Sequence, residues 1–142
     1  MAGDLRAIID ELGGEAVLGR RFDREIDLQA AIREGFPQSV IDELMEAADL
    51  NIKELAACID VSARSLQRRR KVGRLARYES DRLYRLARIV ALAKSSLGGR
   101  DRATRWLKRP NRALGGKAPL AVIDTELGAR VVEISGALRS AA

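Results

Sequence analysis

The chain has 142 residues, with 26 Lys plus Arg against 20 Asp plus Glu, one Cys and no His, giving a formal charge of +6. Without His there is no Ser-His-Asp triad, no Cys-His dyad and no His-ligated zinc or haem, and a single Cys excludes an internal disulfide or a four-Cys metal site. Hydrophobic content of 46% and charged content of 32% belong to a globular chain, no run approaches the roughly 18 apolar residues of a membrane span, and Met1-Ala-Gly-Asp-Leu-Arg6 opens no signal core. We therefore expect a cytoplasmic protein without membrane contact, cofactor, metal or enzymatic activity.

Helical spacing runs through nearly the whole sequence. Leu5, Ile8, Ile9 and Leu12 form one stripe at i, i+3, i+4 and i+7, and Gly13-Gly14 ends that helix. After a short segment to Gly19, Asp27 is expected to cap a helix through Leu28, Ala31 and Ile32 that Gly35 and Pro37 stop. Residues 1–35 thus make an amino-terminal helical extension. Pro37 suits the first turn of the next helix, with Val40, Ile41, Leu44, Met45 and Ala48 inward and Asp42, Glu43 and Glu46 wet. Ile52 to Ile59 reads as a two-turn helix in which Cys58 is a buried, inert thiol. Only Asp60-Val61 separate it from a helix capped by Ser62, which is helix-turn-helix spacing.

From Ser80 onward, Leu83, Leu86, Ala87, Val90, Ala93 and Leu97 describe a longer helix, buried on most sides and closed by Gly98-Gly99. Asp101 is expected to cap a short helix carrying Ala103, Trp106 and Leu107, with Trp106 in the core, and Pro110 ends it. A turn-rich loop from Asn111 to Ala118, Pro119 at a first turn, and Thr125 as cap for Glu126 to Leu138 complete an all-α chain.

Charge is unevenly placed along these elements. Residues 1–59 hold 6 basic and 13 acidic groups, net −7; residues 60–77 hold 7 and 1, net +6; residues 78–142 hold 13 and 6, net +7. An acidic front beside a basic knot is expected where one surface meets a polyanion, and the knot coincides with the helix-turn-helix. Leu55, Ile59, Val61 and Leu66 are apolar where two steeply crossing helices meet, Ala56 is small where they approach, and Asp60 tolerates the left-handed turn that Gly more often fills. Arg69 replaces an expected apolar residue, so the second helix ends or tilts early. Ser62, Arg64, Ser65, Gln67 and Arg68 then face the DNA major groove. Arg can pair with guanine and Gln with adenine, whereas Arg69, Arg70, Lys71, Arg74 and Arg77 suit phosphates.

The loop Asn111-Arg-Ala-Leu-Gly-Gly-Lys-Ala118 fails as a nucleotide-binding loop, because Asn111 stands where its first Gly belongs and Ala118 where a hydroxyl does. The run Ala103-Thr-Arg-Trp-Leu-Lys-Arg-Pro-Asn-Arg-Ala-Leu-Gly-Gly-Lys-Ala-Pro-Leu120, followed by Asp124-Thr-Glu126 and Gly128, instead resembles the toxin-binding domain of the Xre/MbcA/ParS-type antitoxins. Upstream, Ser65-Leu-Gln-Arg-Arg69 and Glu79-Ser-Asp-Arg-Leu-Tyr-Arg-Leu-Ala-Arg88 resemble the same family's helix-turn-helix and connecting helix. The match covers about residues 36 to 138. Ala118 departs from it, standing where the family tends to have Thr, which weakens the following helix start.

The resemblance implies a helix-turn-helix module at residues 36–78 and a toxin-binding domain at 79–142. Such an antitoxin would cover the active-site entrance of a cognate toxin, often a RES-domain protein that consumes NAD, and as a homodimer in a larger toxin complex would repress its own operator. Asn111, Arg112, Leu114, Gly115, Gly116, Lys117, Leu120, Arg130 and Arg139 are the candidates for the toxin surface. Arg112, Lys117, Arg130 and Arg139 give it a positive cast suited to an acidic or NAD-handling partner. A stand-alone helix-turn-helix repressor is the alternative reading.

Overall fold

The computed structural model describes residues 2–134, so the carboxy-terminal part of the expected last helix, with Leu138 and Arg139, lies outside the described residues. The elements are α1 (Ala2–Glu11), α2 (Gly14–Leu18), α3 (Glu25–Glu34), α4 (Ser39–Ala48), α5 (Ile52–Cys58), α6 (Ala63–Arg69), α7 (Arg77–Leu97), α8 (Arg100–Lys108) and α9 (Glu126–Ile134), with short 3-10 turns at Arg112–Leu114 and Pro119–Ala121. Among the described residues the only extended pairings are two isolated bridges, Pro37 with Arg74 and Asn111 with Lys117. The all-α expectation holds.

The 21-residue α7 is the axis of the fold, and α1, α3, α4, α8 and α9 all pack on it. Leu83, Ala87, Ile89, Val90 and Ala93 are fully buried, so the helix turns apolar surface to neighbours on most sides. One continuous cluster of buried side chains reaches from Leu5 on α1 to Val132 on α9, with Trp106 inside it. The stripe Leu5, Ile8, Ile9 and Leu12 is buried as its spacing requires, which makes the amino-terminal extension part of the same core.

Four helix starts differ from expectation. The helix assigned to an Asp27 cap begins at Glu25, and Asp27 serves from inside it by accepting the Asp23 and Arg24 amides at 2.9 Å. Those amides, Arg24's first, hold its carboxyl below the usual range. Pro37 lies before α4 and not in its first turn, because it is engaged in the bridge to Arg74. The long helix starts at Arg77 instead of Ser80; Ser80 is fully buried, donating to the Ala76 carbonyl at 2.9 Å and accepting the Phe36 amide at 2.8 Å. Asp101 is in the first turn of α8, whose cap is Gly99.

Two close approaches require glycine. Gly35, at φ 93°, lets the chain pass so near the Leu75 carbonyl that a Cβ would sit 2.0 Å from its oxygen. The Leu75 amide donates to Phe36 at 2.9 Å and Arg74 to the Gly35 carbonyl at 2.9 Å, closing a seam between the end of the extension and the segment after α6. Gly128 in α9 brings the helix onto the Val122 carbonyl, 1.6 Å from where a Cβ would be. Its amide is capped by Thr125 Oγ1 at 3.0 Å, as expected of that residue.

Gly128→Ala separates packing from propensity. Alanine favours a helix by about 1 kcal/mol over glycine, yet the contact with Val122 should reverse the sign and destabilise the protein by about 1–3 kcal/mol in denaturant unfolding; an unchanged or raised midpoint would contradict the packing of α9. Burial pushes the Cys58 thiol up to about 12. A thiol reagent at pH 8 should therefore leave the folded protein unlabelled and react once denaturant opens it, and rapid labelling of folded protein would refute the burial.

Candidate functional site

The basic segment folds as two short helices about a tight turn. Asn51 and Glu54 cap α5 reciprocally, Asn51 Oδ1 accepting the Glu54 amide at 2.8 Å and Glu54 Oε1 the Asn51 amide at 3.0 Å. Asp60 takes the left-handed conformation at φ 54°, and the Val61 amide reaches back to the Ala56 carbonyl at 3.1 Å. Ser62 caps α6 by accepting the Ser65 amide at 3.0 Å. Leu55, Ile59 and Leu66 are fully buried at the crossing, and Ala56 lies beside them at 2% exposure. The early end foreseen from Arg69 is where α6 stops.

The turn is also held from α7, which the sequence did not signal. Arg82 donates through one Nη1 to the Ile59 carbonyl at 3.0 Å and the Asp60 carbonyl at 3.1 Å, and its guanidinium lies 5.2 Å from the Tyr78 ring centroid. It satisfies carbonyls that the end of α5 leaves open. Its distance of over twenty residues from the turn is why helical periodicity could not find it.

On the outer side of this unit, Ser62, Arg64, Gln67 and Arg68 are exposed and Ser65 is half-buried. The side chains of Arg64, Arg68, Lys71 and Arg77 make no ion pair or hydrogen bond with another described residue. The remaining cations are engaged. Arg69 turns inward to Glu79, whose carboxylate is 3.3 Å away, nearly fully buried, and further held by the Ala76 amide at 2.7 Å. Arg70 bonds Asp42 at 2.6 Å and Gln67 at 2.9 Å, and Arg74 holds the Gly35 carbonyl. Of the five cations read as phosphate ligands, Lys71 and Arg77 are presented to solvent without such ties.

The second candidate surface follows α8. The loop 111–117 closes on itself: the Asn111 amide donates to the Lys117 carbonyl at 3.0 Å, the Gly116 amide to the Asn111 carbonyl at 2.9 Å, and Asn111 Oδ1 accepts the Ala113 amide at 2.9 Å. Gly115 and Gly116 supply positive φ and are exposed, as are Arg112 and Lys117. Leu114 is buried and anchors the loop, Leu120 is half-buried, and Arg130 is exposed on α9. Ala118, with no hydroxyl to offer, precedes only the single 3-10 turn Pro119–Ala121.

Charge fastens α9 to α7. Arg85, itself buried, donates to the carbonyls of Ile123 at 3.4 Å and Asp124 at 3.1 Å and lies 3.5 Å from Glu126. Arg88 bridges Glu126 at 2.9 Å and Glu133 at 3.2 Å. Burial opposes the Arg88 charge, but the hydrogen bonds to Glu126 and Tyr84 and the field of Glu133 outweigh it and raise its pKa. The outward residues Leu127, Val131 and Ile134 are exposed. Their i, i+4, i+7 spacing is visible in the sequence, but the toxin-surface candidates of this region rest on its cations and loop residues and do not include them.

The two regions separate in comparison with known proteins. A family model of the antitoxin Xre-like helix-turn-helix domain matches residues 27–88, and one of the antitoxin Xre/MbcA/ParS C-terminal toxin-binding domain matches residues 91–133. An Antitoxin Xre from Yersinia enterocolitica is 33% identical over 126 residues, covering 81% of this chain and 85% of that protein. An Antitoxin Xre from Photorhabdus laumondii is 32% identical over 104 residues, covering 72% of this chain and 70% of its own length. A third, from Pseudomonas putida, is 40% identical over 55 residues, 39% of this chain and 35% of that protein. With a helix-turn-helix held from α7, a helical region matching a toxin-binding domain, and relatives of this coverage, the chain belongs to the Xre family of antitoxins.

Proposed function

We propose that this chain is the cytoplasmic antitoxin of a type II toxin-antitoxin pair, neutralising a RES-domain, NAD-consuming toxin by covering its active-site entrance and repressing their shared operon as a homodimer within the toxin complex. Residues 36–78 form the DNA-reading module and residues 79–142 the toxin-binding domain. The observation that carries this reading is the presence, on one α7 axis, of a helix-turn-helix with unengaged Arg64 and Arg68 and of a region matching a toxin-binding domain. Masking a partner's active site asks for complementary surface and no catalytic group of its own, which suits a chain without histidine.

In the DNA complex, α6 enters the major groove, Arg64, Gln67 and Arg68 meet base edges, and Ser62 and Ser65 sit at the helix start near the backbone. Lys71 and Arg77 take phosphates. Arg70 reaches a phosphate by exchanging Asp42 for it, while Arg69 stays with Glu79. On the toxin side, Asn111, Arg112, Gly115, Gly116, Lys117, Leu120, Arg130 and Arg139 face the partner, and Leu114 supports the loop from beneath.

Co-expression with the product of the adjacent reading frame tests the toxin half. The expected result is relief of growth arrest and a stable co-purifying complex; unrelieved toxicity would sink it and leave a stand-alone repressor. For the DNA half, Arg64→Ala and Arg68→Ala should each weaken operator binding by about 1–3 kcal/mol with loss of discrimination, whereas Lys71→Ala should weaken all sequences alike and lower the salt dependence. Gel shifts on operator and scrambled duplexes distinguish these outcomes, and unaltered binding by both arginine variants would overturn the α6 assignment.

A further inference from the structure

Among the described residues, six large hydrophobic side chains are exposed, and three of them, Leu127 at 71%, Val131 at 38% and Ile134 at 76%, lie on the nine-residue α9. At about 100° per residue they fall within roughly 60° of arc, almost diametrically opposite the buried Ala129 and Val132. The helix is therefore apolar on two opposed faces. One is satisfied by α7; a stripe on the far side is not the fringe of the same core and is the pattern of a helix made to be covered twice.

The charges of α9 are arranged to leave that stripe bare. Glu126 and Glu133 project to one side, where Arg85 and Arg88 hold them against α7, so neither carboxylate hydrates the outer face. Arg130 is exposed on the flank and has no ionic partner among the described residues. Long side chains fixed by these ion pairs also keep the stripe in one orientation, which lowers the entropy lost on docking.

We infer that the α9 stripe Leu127, Val131 and Ile134 is the apolar centre of the toxin interface, and that it seats against an apolar patch on the toxin edged by a carboxylate that meets Arg130. This rests on the toxin-binding reading and gives it its chemistry: α9 lies in the region matching the toxin-binding domain, and of the charges on the helix Arg130 alone has no ionic partner among the described residues. Contact energy there comes from desolvated aliphatic surface, with Arg130 at the rim contributing orientation.

The test uses full-length antitoxin co-expressed with the product of the adjacent reading frame. Leu127→Asp and Val131→Asp should each reduce toxin capture about tenfold or more, with thermal unfolding and operator gel shift kept; Leu127→Gln serves should the aspartate variants melt early. Arg130→Glu should weaken capture less and mainly slow association. Capture by wild type and stripe variants alike would overturn this inference alone, whereas failure of the wild type to capture the toxin overturns the reading beneath it as well. The inference is equally overturned should the isolated antitoxin change from dimer to monomer with the stripe variants in light scattering, since a second copy would then be the occupant.

Discussion

A helix buried on nearly every side cannot leave its polar side chains unpaired, and on α7 five paired ones lie close together between Glu79 and Arg88. Glu79 takes Arg69 and the Ala76 amide, Ser80 takes the Phe36 amide, Arg82 takes the turn of the helix-turn-helix, Arg85 takes the Ile123 and Asp124 carbonyls, and Arg88 takes both carboxylates of α9. Orphaning Glu79, which is almost wholly buried, would be the costliest, since removing one partner of a buried ion pair costs about 3–5 kcal/mol. Each of these groups finds a partner on a segment outside α7. The same electrostatic requirement that makes α7 hard to bury thus sets where the DNA-facing and partner-facing elements stand.

The uneven charge of the sequence acquires a different meaning in three dimensions. Carboxylates of the acidic front meet cations of the basic rear: Glu11 pairs with Lys94 at 2.8 Å, Asp49 with Lys108 at 3.5 Å, and Glu46 receives Arg100 through its carbonyl at 2.8 Å. The exposed pairs among these are each worth no more than about 1 kcal/mol. Their larger effect is on the field, because they neutralise α7 and α8 against α1 and α4 and leave positive potential concentrated around α6. Only part of that concentration is offered outward, since Arg69, Arg70 and Arg74 are spent on holding neighbouring segments.

How much of this could be read from the sequence depends on range. Contacts within a few residues were legible: Ser62 and Thr125 cap as their chemistry demands, Asp60 turns left-handed, Leu66 points inward, and Cys58 is buried. Local reasoning erred where a tertiary partner took over a residue. Pro37 was claimed by Arg74, Ser80 by Phe36, and Asp27 by two amides on its amino-terminal side, so helices began two or three residues away from the expected caps. The cations of the basic knot could not be sorted into engaged and available by spacing alone. The partners of Arg69 and Arg70 lie 10 and 28 residues away, and the Arg88 bridge to Glu133 spans 45.

The division of labour along α7 bears on how antitoxins of this architecture could be recombined. Glu79, Ser80 and Arg82 serve the segments before the helix, while Arg85 and Arg88 serve those after it. Less than one helical turn, Leu83-Tyr84, lies between the two sets. A chimera joining the front of one homologue to the rear of another at either end of α7 would import guanidinium groups without their carbonyl and carboxylate partners. A crossover inside that single turn would keep both sets intact, leaving the apolar packing of the helix to be matched together with the partners of Lys94, Arg100 and Lys108 on the front half.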